Sequence, residues 1–596
     1  MRCHHRSLGL ALLVFLIINR PFVLLSHFTS DSRSPALPFS KHQVVNVIVA
    51  GATGDLAAKY LWVALFRLAL QAASTTGRTY RFIAGASDTL ERGRGWHKKF
   101  FDDMFAQRVC RAVVGQEQLS TAQKCREFLE GEFIPSVRYT PLREESHYRE
   151  LGQWLNEMNE LLPSEEGRMV YLAIPPQFFL QSCELIHRYL RPRSTESGAA
   201  PFLRVVVEKP FGRDLKSAHE LATQLRAIYN NDELYVMDHY AGKPVVHALR
   251  SYFRLNAAAL HPVWNTEHID NIHIEMTETA TLQNRVHYFD SAGIIRDVMV
   301  NHLQLLLSVA VTPSFNTGIF SGSKSPAGLH DAQLTFVEAL KTPLKQPSVL
   351  IAQYDEYATH YKEEMGRGLD ASDHFTPTAA MIEFTSSSDE WKNTTFRLAA
   401  AKATDARLLA ITITFRDGVF VDKGAQPCSF IVIIQQALNA DTRQSHRIEW
   451  SCDVSDALGD LKHPNGWEYL HTNDYRVITP MQTNRNAMEQ GQQAIAWELG
   501  DEPSAYDILL REVYNGATEH FADLDEVEAA WALWTSVVQA AESNSQHSEP
   551  TSDATAYPPQ STLLQYTSYP AGTSPWQQVF SSSQSTDRSP TAREEL

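Results

Sequence analysis

From residue 44 the chain alternates short Val/Ile-rich runs with longer stretches of helical period. Short Val/Ile-rich runs at 44–50, 80–85, 169–174 and 203–207, with a helical segment at 56–72 after the first, predict a β-α-β rhythm and hence a parallel, doubly wound sheet. The pattern changes after residue 268. Strands are predicted at 269–278, 379–385, 394–400, 408–415 and 430–435 without helices between successive members, which implies a mainly antiparallel sheet. Helices at 293–310, 505–520 and 524–541 are expected to pack on it. The boundaries read as 44–237 for an α/β domain and 238–545 for an α+β domain with a large sheet.

Both flanks are polar or low in complexity. Residues 27–43 are Ser- and Pro-containing and read as a linker. From 546 to 596 Ser, Thr, Pro and Gln dominate, and such a segment is expected to stay disordered, because it buries too little apolar surface to offset its ordering entropy. Residues 1–26 place Arg2, His4, His5 and Arg6 before an apolar run at 8–18, the order of a signal peptide or signal anchor. The sequence ends in Arg593-Glu594-Glu595-Leu596, similar to the retrieval signals read in the endoplasmic reticulum. Together they favour a lumenal protein over a cytoplasmic or membrane-anchored one. No stable membrane span is expected once a signal is cleaved. Asn393-Thr394-Thr395 is a glycosylation sequon that such a compartment would expose to modification.

Charge narrows the partners. With 53 Lys+Arg against 69 Asp+Glu, the 596-residue chain carries a formal charge of −16, which argues against non-specific nucleic-acid binding because phosphate backbones must be met by a cationic surface. The six cysteines (Cys3, Cys110, Cys125, Cys183, Cys428 and Cys452) include no C-x-x-C pair, so no zinc or thioredoxin-like motif is indicated and isolated buried thiols are the simplest expectation.

Candidate chemistry gathers at four places. After the first strand, Gly51, Thr53, Gly54, Asp55 and Leu56 form a G-x-x-G turn opening a helix, which lets a pyrophosphate approach a helix N-terminus. This marks the α/β domain as a Rossmann-like dinucleotide-binding unit. Asp88 follows the next strand, where an acidic side chain accepts from ribose hydroxyls and repels a 2′-phosphate. It points to NAD, or is a solvated loop residue. Lys209 ends a buried strand before Pro210, a peptide bond that could be cis. Asp238-His239-Tyr240-Ala241-Gly242-Lys243 packs a carboxylate, an imidazole, a phenol and an ammonium into six residues, suited to a phosphate monoester or to a polar capping loop. On the helix at 293–310, Asp297 and His302 are five apart and on α-helical geometry need not share a face.

The strings GATGDLAAKYLW, VVVEKPFGRDL, MDHYAGK, WNTEHIDNI, YFDSAGIIRDVMVNHLQLLL, YDILLREVYNG and AAWALWT, spread over about 44–541, resemble the glucose-6-phosphate dehydrogenases. The termini are similar to the lumenal branch of that family. Its members commonly carry a lactonase domain, and a low-complexity tail stands in that place here, so lactone hydrolysis is not expected. The resemblance implies oxidation of glucose 6-phosphate at C1 with hydride transfer to NADP or NAD, the first step of the oxidative pentose phosphate pathway. It makes His302 the base and Asp238 its orienting carboxylate. It assigns phosphate contacts to His239, Tyr240 and Lys243, and sugar hydroxyls to Glu278 and Asp297. Lys209 would bridge sugar and cofactor, and Lys402 and Arg407 would also reach substrate. No metal is implied. NADP is the family expectation, while Asp88 leaves NAD open. Ala399 and Leu408 stand where the family's second, structural NADP site would need cations, so that site is expected to be weak or absent. Homodimers or tetramers follow by analogy. A sugar-phosphate-binding protein without catalysis, and an oxidoreductase for unphosphorylated sugars, are the alternatives.

Overall fold

The computed structural model describes residues 44–75, 79–105, 109–110, 116–161, 166–193, 201–313, 327–342, 348–369, 375–437, 446–464, 467–469, 495–499, 504–543 and 566–576. The expected signal segment, the linker and the terminal tetrapeptide lie outside the described residues.

Strands β1 (Val44–Ala50), β2 (Thr79–Ala86), β3 (Val137–Pro141), β4 (Glu166–Leu172), β5 (Leu203–Glu208) and β6 (Leu234–Met237) form a wholly parallel sheet in the order β3-β2-β1-β4-β5-β6. Every residue of β1 and β5 is buried. Both sheet faces are covered, which is why these strands read as mainly apolar runs, interrupted only by Asn46 in β1 and by Arg204 and Glu208 in β5, rather than as alternating ones. Strand order reverses between β1 and β4, and the crevice at such a switch point is where parallel α/β sheets take ligands.

Eleven strands form the second sheet: β7 (Ile269–Thr277), β8 (Leu340–Lys341), β9 (Val349–Tyr354), β10 (Ala379–Ser386), β11 (Thr395–Ala401), β12 (Arg407–Phe415), β13 (Ser429–Ala437), β14 (Arg447–Trp450), β15 (Trp467–Tyr469), β16 (Ile495–Leu499) and β17 (Tyr566–Tyr569). The order is β15-β16-β14-β13-β12-β7-β11-β10-β9-β17, with β8 beside β10. All pairs are antiparallel except β7 with β11 and β9 with β17. The sheet is therefore mixed but mostly antiparallel. Helices Pro244–Leu255, Gln304–Val311 and Leu524–Ser543 cover one face, and Trp264, Trp450 and Trp534 sit in the core between them. Among the described residues no helix is long and apolar enough to cross a membrane.

Four expectations are corrected. The helix predicted at 505–520 stops at Asn515, because Gly516 takes φ 76° and its N–H returns to the carbonyls of Glu512 and Val513, a left-handed cap. Within the segment expected to be disordered, residues 566–576 are ordered: β17 adds to the sheet, and Tyr569 and Trp576 are each about 1% exposed. Two aromatic anchors recover what the surrounding polar composition lacks. The cysteines are not isolated. Cys110–Cys125 and Cys428–Cys452 are disulfides with Cα atoms 5.6 and 5.5 Å apart, spacing that a linear reading does not reveal. Cys183 is a buried free thiol, pushed up to about 12 by that burial. Finally, the helix carrying Asp297 and His302 is wound in π turns over Ile295–Leu303 before continuing as Gln304–Val311.

Candidate active site

The glycine turn lies at the switch point. Gly51 has φ 83°, and a Cβ there would stand 2.0 Å from the carbonyl oxygen of Ala173, just beyond β4. Only glycine allows this approach. Gly51 and Ala52 donate to the Gly85 carbonyl at 2.8 and 3.0 Å, and Gly54 donates to Gly51 at 3.0 Å. The backbone of Thr53, Gly54 and Leu56 is thus shaped as a cradle opening a helix, which fits a dinucleotide pyrophosphate. Asp55 is exposed and paired with Lys59 at 2.6 Å. Asp88 stands just past β2, its carbonyl accepting from the Tyr139 hydroxyl at 3.0 Å.

The second group forms where the parallel sheet meets the mixed one. Asp238 directly follows β6, and its turn is closed by Tyr240 N–H to Asp238 Oδ1 at 2.9 Å and Lys243 N–H to the Tyr240 carbonyl at 3.1 Å. Pro244 then opens the helix Pro244–Leu255. Gly242 admits the helix Ala505–Asn515: a Cβ would meet the Ala505 carbonyl at 2.5 Å. His302, 3% exposed, places Nδ1 2.6 and 2.7 Å from the two Asp238 carboxylate oxygens, so Nδ1–H donates and Nε2 is the basic nitrogen. Its ring packs on Tyr240 at 3.9 Å and edge-on to His239 at 4.9 Å.

The π winding answers the question of shared faces. In such a turn each N–H reaches five residues back, as Gln304 N–H does to the Met299 carbonyl, so residues five apart lie above one another. Asp297 and His302 are therefore electrostatic neighbours despite α-helical expectation. Asp297 also receives two cations: Lys209 Nζ donates to its carbonyl at 3.0 Å, from a cis Lys209–Pro210 bond, and Lys402 Nζ lies 3.4 Å from its carboxylate. Lys402 donates to Glu278 at 2.5 Å. The residue after it, Ala403, has φ 55°, a left-handed conformation that costs a non-glycine residue about 1 kcal/mol. Arg407 is exposed but acts electrostatically on Tyr240 and Lys243.

Burial sets the protonation states. It drives His302 down to about 4 against the opposing Asp238 carboxylate, with Lys209 adding to the fall, so the imidazole is neutral. Burial alone would raise Asp238, but the facing His302 overrides it and holds the carboxyl well below the usual range. His239 is pushed down to about 3 by burial, then by His302. Lys243 is lowered by burial and by Arg407. Burial would likewise raise Asp297, yet Lys402 and Lys209 hold it low.

Two functional neighbours escaped sequence reasoning. Glu208 ends β5 beside Lys209 and accepts from the Tyr171 hydroxyl; burial raises it to about 7, against that hydrogen bond. Tyr506 stacks on His239 with ring centroids 6.0 Å apart at 9°. Both lie inside recognised motifs, E-K-P-F and Y-D-I-L-L-R-E, and a glutamate closing an otherwise apolar strand was the available signal.

A parallel dinucleotide unit, a mixed sheet and a carboxylate-held histidine between them define the fold of the two-domain dehydrogenases. The profile described as "Glucose-6-phosphate dehydrogenase, NAD binding domain" matches residues 48–248, and the one described as "Glucose-6-phosphate dehydrogenase, C-terminal domain" matches 251–574. The chain belongs to the glucose-6-phosphate dehydrogenase family. It is 29% identical over 507 residues to the GDH/6PGL endoplasmic bifunctional protein of Oryctolagus cuniculus, which covers 83% of this chain and 59% of the relative. It is 27% identical over 500 residues to the cytoplasmic glucose-6-phosphate 1-dehydrogenase 6 of Arabidopsis thaliana, covering 82% and 85%. The chain thus spans about three fifths of the bifunctional relatives it matches. A solved glucose-6-phosphate dehydrogenase in complex with glucose 6-phosphate shares the fold with TM-score 0.66 at 24% identity, over 91% of this chain and 98% of that one.

Proposed function

We propose that this chain oxidises glucose 6-phosphate, and related hexose 6-phosphates, at C1 to the 1,5-lactone, with NADP or NAD as acceptor. The observation that carries the reading is His302, buried and neutral, with Nδ1 fixed on both oxygens of Asp238. His302 Nε2 takes the proton of the C1 hydroxyl. Asp238 keeps the tautomer and offsets the positive charge that develops on the ring. His239, Tyr240 and Lys243 grip the phosphate, with Arg407 adding positive charge at their edge. Glu278 and Asp297 accept hydrogen bonds from sugar hydroxyls while Lys402 donates to a sugar oxygen. Lys209, held on the Asp297 carbonyl, positions the sugar against the cofactor. The nicotinamide cofactor, when bound, accepts the hydride; Gly51, Thr53, Gly54, Asp55 and Leu56 would hold its pyrophosphate and Asp88 its adenosine ribose. Binding energy from the remote phosphate aligns C1 rather than merely tightening the complex.

A lumenal location is supported by two disulfides, which persist in oxidising compartments, by the endoplasmic relatives and by the terminal motifs. Self-association through the mixed sheet belongs to the same proposal. Initial rates of cofactor reduction with glucose 6-phosphate, measured separately with NAD and NADP, test the reading against His302→Asn. Turnover by the parent and loss of orders of magnitude in the variant are expected. Inert protein that still binds glucose 6-phosphate would overturn it in favour of a non-catalytic binder, and equal binding of free glucose would defeat the phosphate grip.

A further inference from the structure

A second cluster of metal-competent side chains lies on the other side of the phosphate-gripping turn and takes no part in the chemistry above. His247 comes from the first turn of Pro244–Leu255, Glu512 from the last turn of Ala505–Asn515, and His520 from the segment beyond Gly516. One ligand atom from each falls within 4.8 Å of the others. His247 Nε2 is 3.3 Å from Glu512 Oε1, and His520 Nδ1 is 2.9 Å from Glu512 Oε2. The two imidazoles face one another with centroids 4.8 Å apart.

The cluster is poorly satisfied as it stands. His520 is 4% exposed, yet neither of its ring nitrogens makes a hydrogen bond: the Nδ1 contact to Glu512 is close but misaligned, and Glu512 Oε2 is likewise without a hydrogen bond. Buried polar atoms are normally paired, so His520 Nδ1 and Glu512 Oε2, 2.9 Å apart and each without a hydrogen bond, call for a shared partner between them. A short approach between nitrogen and carboxylate oxygen without hydrogen-bond alignment is the arrangement of two ligands aimed at a common ion. The surrounding charges suit a divalent one. Glu519 Oε1 is 3.8 Å from His520 Nδ1, giving two carboxylates, while Arg250 couples to both Glu512 and Glu519 and Arg254 to Glu519. An entry path exists, because the His247 side chain is 24% exposed while His520 is closed off.

We propose that His247, Glu512 and His520 form a structural site for a zinc-class divalent cation, with Glu519 or water completing the shell. Two imidazoles and a carboxylate are a borderline-soft donor set that selects zinc over magnesium or calcium. The ion would tie the helix emerging from the phosphate-gripping turn to the helix whose Tyr506 stacks on His239. It is separate from the proton transfer at His302. The sequence showed none of this, because His247 is distant in the chain from Glu512 and His520 and the three match no metal-motif spacing.

The test uses the full chain stripped with a chelator. Cobalt(II) is followed by its visible ligand-field bands, and zinc by calorimetry and by the thermal unfolding midpoint. One equivalent of zinc, four- or five-coordinate cobalt bands and a raised midpoint are expected, since an ion that binds only the native state stabilises it by mass action. His247→Gln, at a partly exposed position, should weaken zinc by at least about tenfold and abolish the bands, as should His520→Gln where it folds. His302→Asn should leave binding intact, which separates this site from the cluster Asp238, His239 and His302. Absence of stoichiometric binding, equal affinity in His247→Gln, or loss of binding in His302→Asn would each overturn the proposal.

Discussion

Replacing Asp238 by asparagine keeps the shape of the support behind His302 and removes its charge. The amide oxygen can still accept from His302 Nδ1–H and from Tyr240 N–H, which now meet Asp238 Oδ1 at 2.6 and 2.9 Å. What disappears is the attraction felt when the ring becomes an imidazolium. With charge centres roughly 4 Å apart and an effective dielectric of about 20, that attraction is about 4 kcal/mol. A loss of this size, confined to the transition state, lowers kcat about a thousandfold. The KM for glucose 6-phosphate should move by less than about threefold, because the phosphate grip is untouched. Raising the pH should not restore the rate: the lost carboxylate opposed the downward shift of His302, so the ring is already neutral. The assay is steady-state reduction of NADP followed by absorbance, with the thermal midpoint as the control for folding. A kcat within about tenfold of the parent, in a folded variant, would refute the assignment of Asp238 as the charge that supports the base.

Lys402→Met removes the cation shared by Glu278 and Asp297, and loss of one charge-assisted hydrogen bond to the sugar should raise the glucose 6-phosphate KM about 10- to 100-fold; an unchanged KM in steady-state kinetics would exclude Lys402 from the substrate site. Glu208, at about 7 in the folded protein against an ordinary 4.5, is protonated in the native state where the unfolded chain has released its proton. Its contribution is therefore complete below about pH 4.5 and is lost as pH rises to 7, by about 3 kcal/mol in all. Glu208→Gln should flatten that slope in calorimetric midpoints taken across the window, and an unchanged slope would count against the shift. Replacing both Cys428 and Cys452 by serine opens a loop of 24 residues and should lower stability by about 3 kcal/mol, seen as a lower thermal midpoint; equal midpoints would mean that the bond constrains nothing.

Legibility differed between the two levels of structure. The strands of the parallel sheet were readable because burial on both faces makes them mainly apolar rather than alternating, as in β1 and β5. The residues of the proposed sugar site were readable as resemblance, from strings such as MDHYAGK and RDVMVNH, whereas their meeting was not. Asp297 and His302 converge only because the helix is wound in π turns, which no local pattern of apolar positions encodes. The cysteine pairs depend on how loops return, and β17 was masked by composition, since two aromatic residues in a polar stretch do not shift an average. Glu208 and Tyr506 were visible as letters but not as neighbours, being joined to the site through the stacking of Tyr506 on His239 and through electrostatic coupling of both to Asp238.

β17 brings a support of the proposed sugar site from late in the chain. The Tyr569 hydroxyl donates to the Lys402 carbonyl at 2.6 Å, and Gly572 N–H donates to the Ala403 carbonyl at 2.7 Å, holding the left-handed turn that carries the lysine. Every other residue of that site is synthesised before this strand. A growing chain can therefore assemble the base, its carboxylate and the phosphate grip while the turn bearing Lys402 still lacks its support. The turn bearing Lys402 gains this support only when residues 566–576 have emerged and docked, so translation sets the order in which the proposed site is completed.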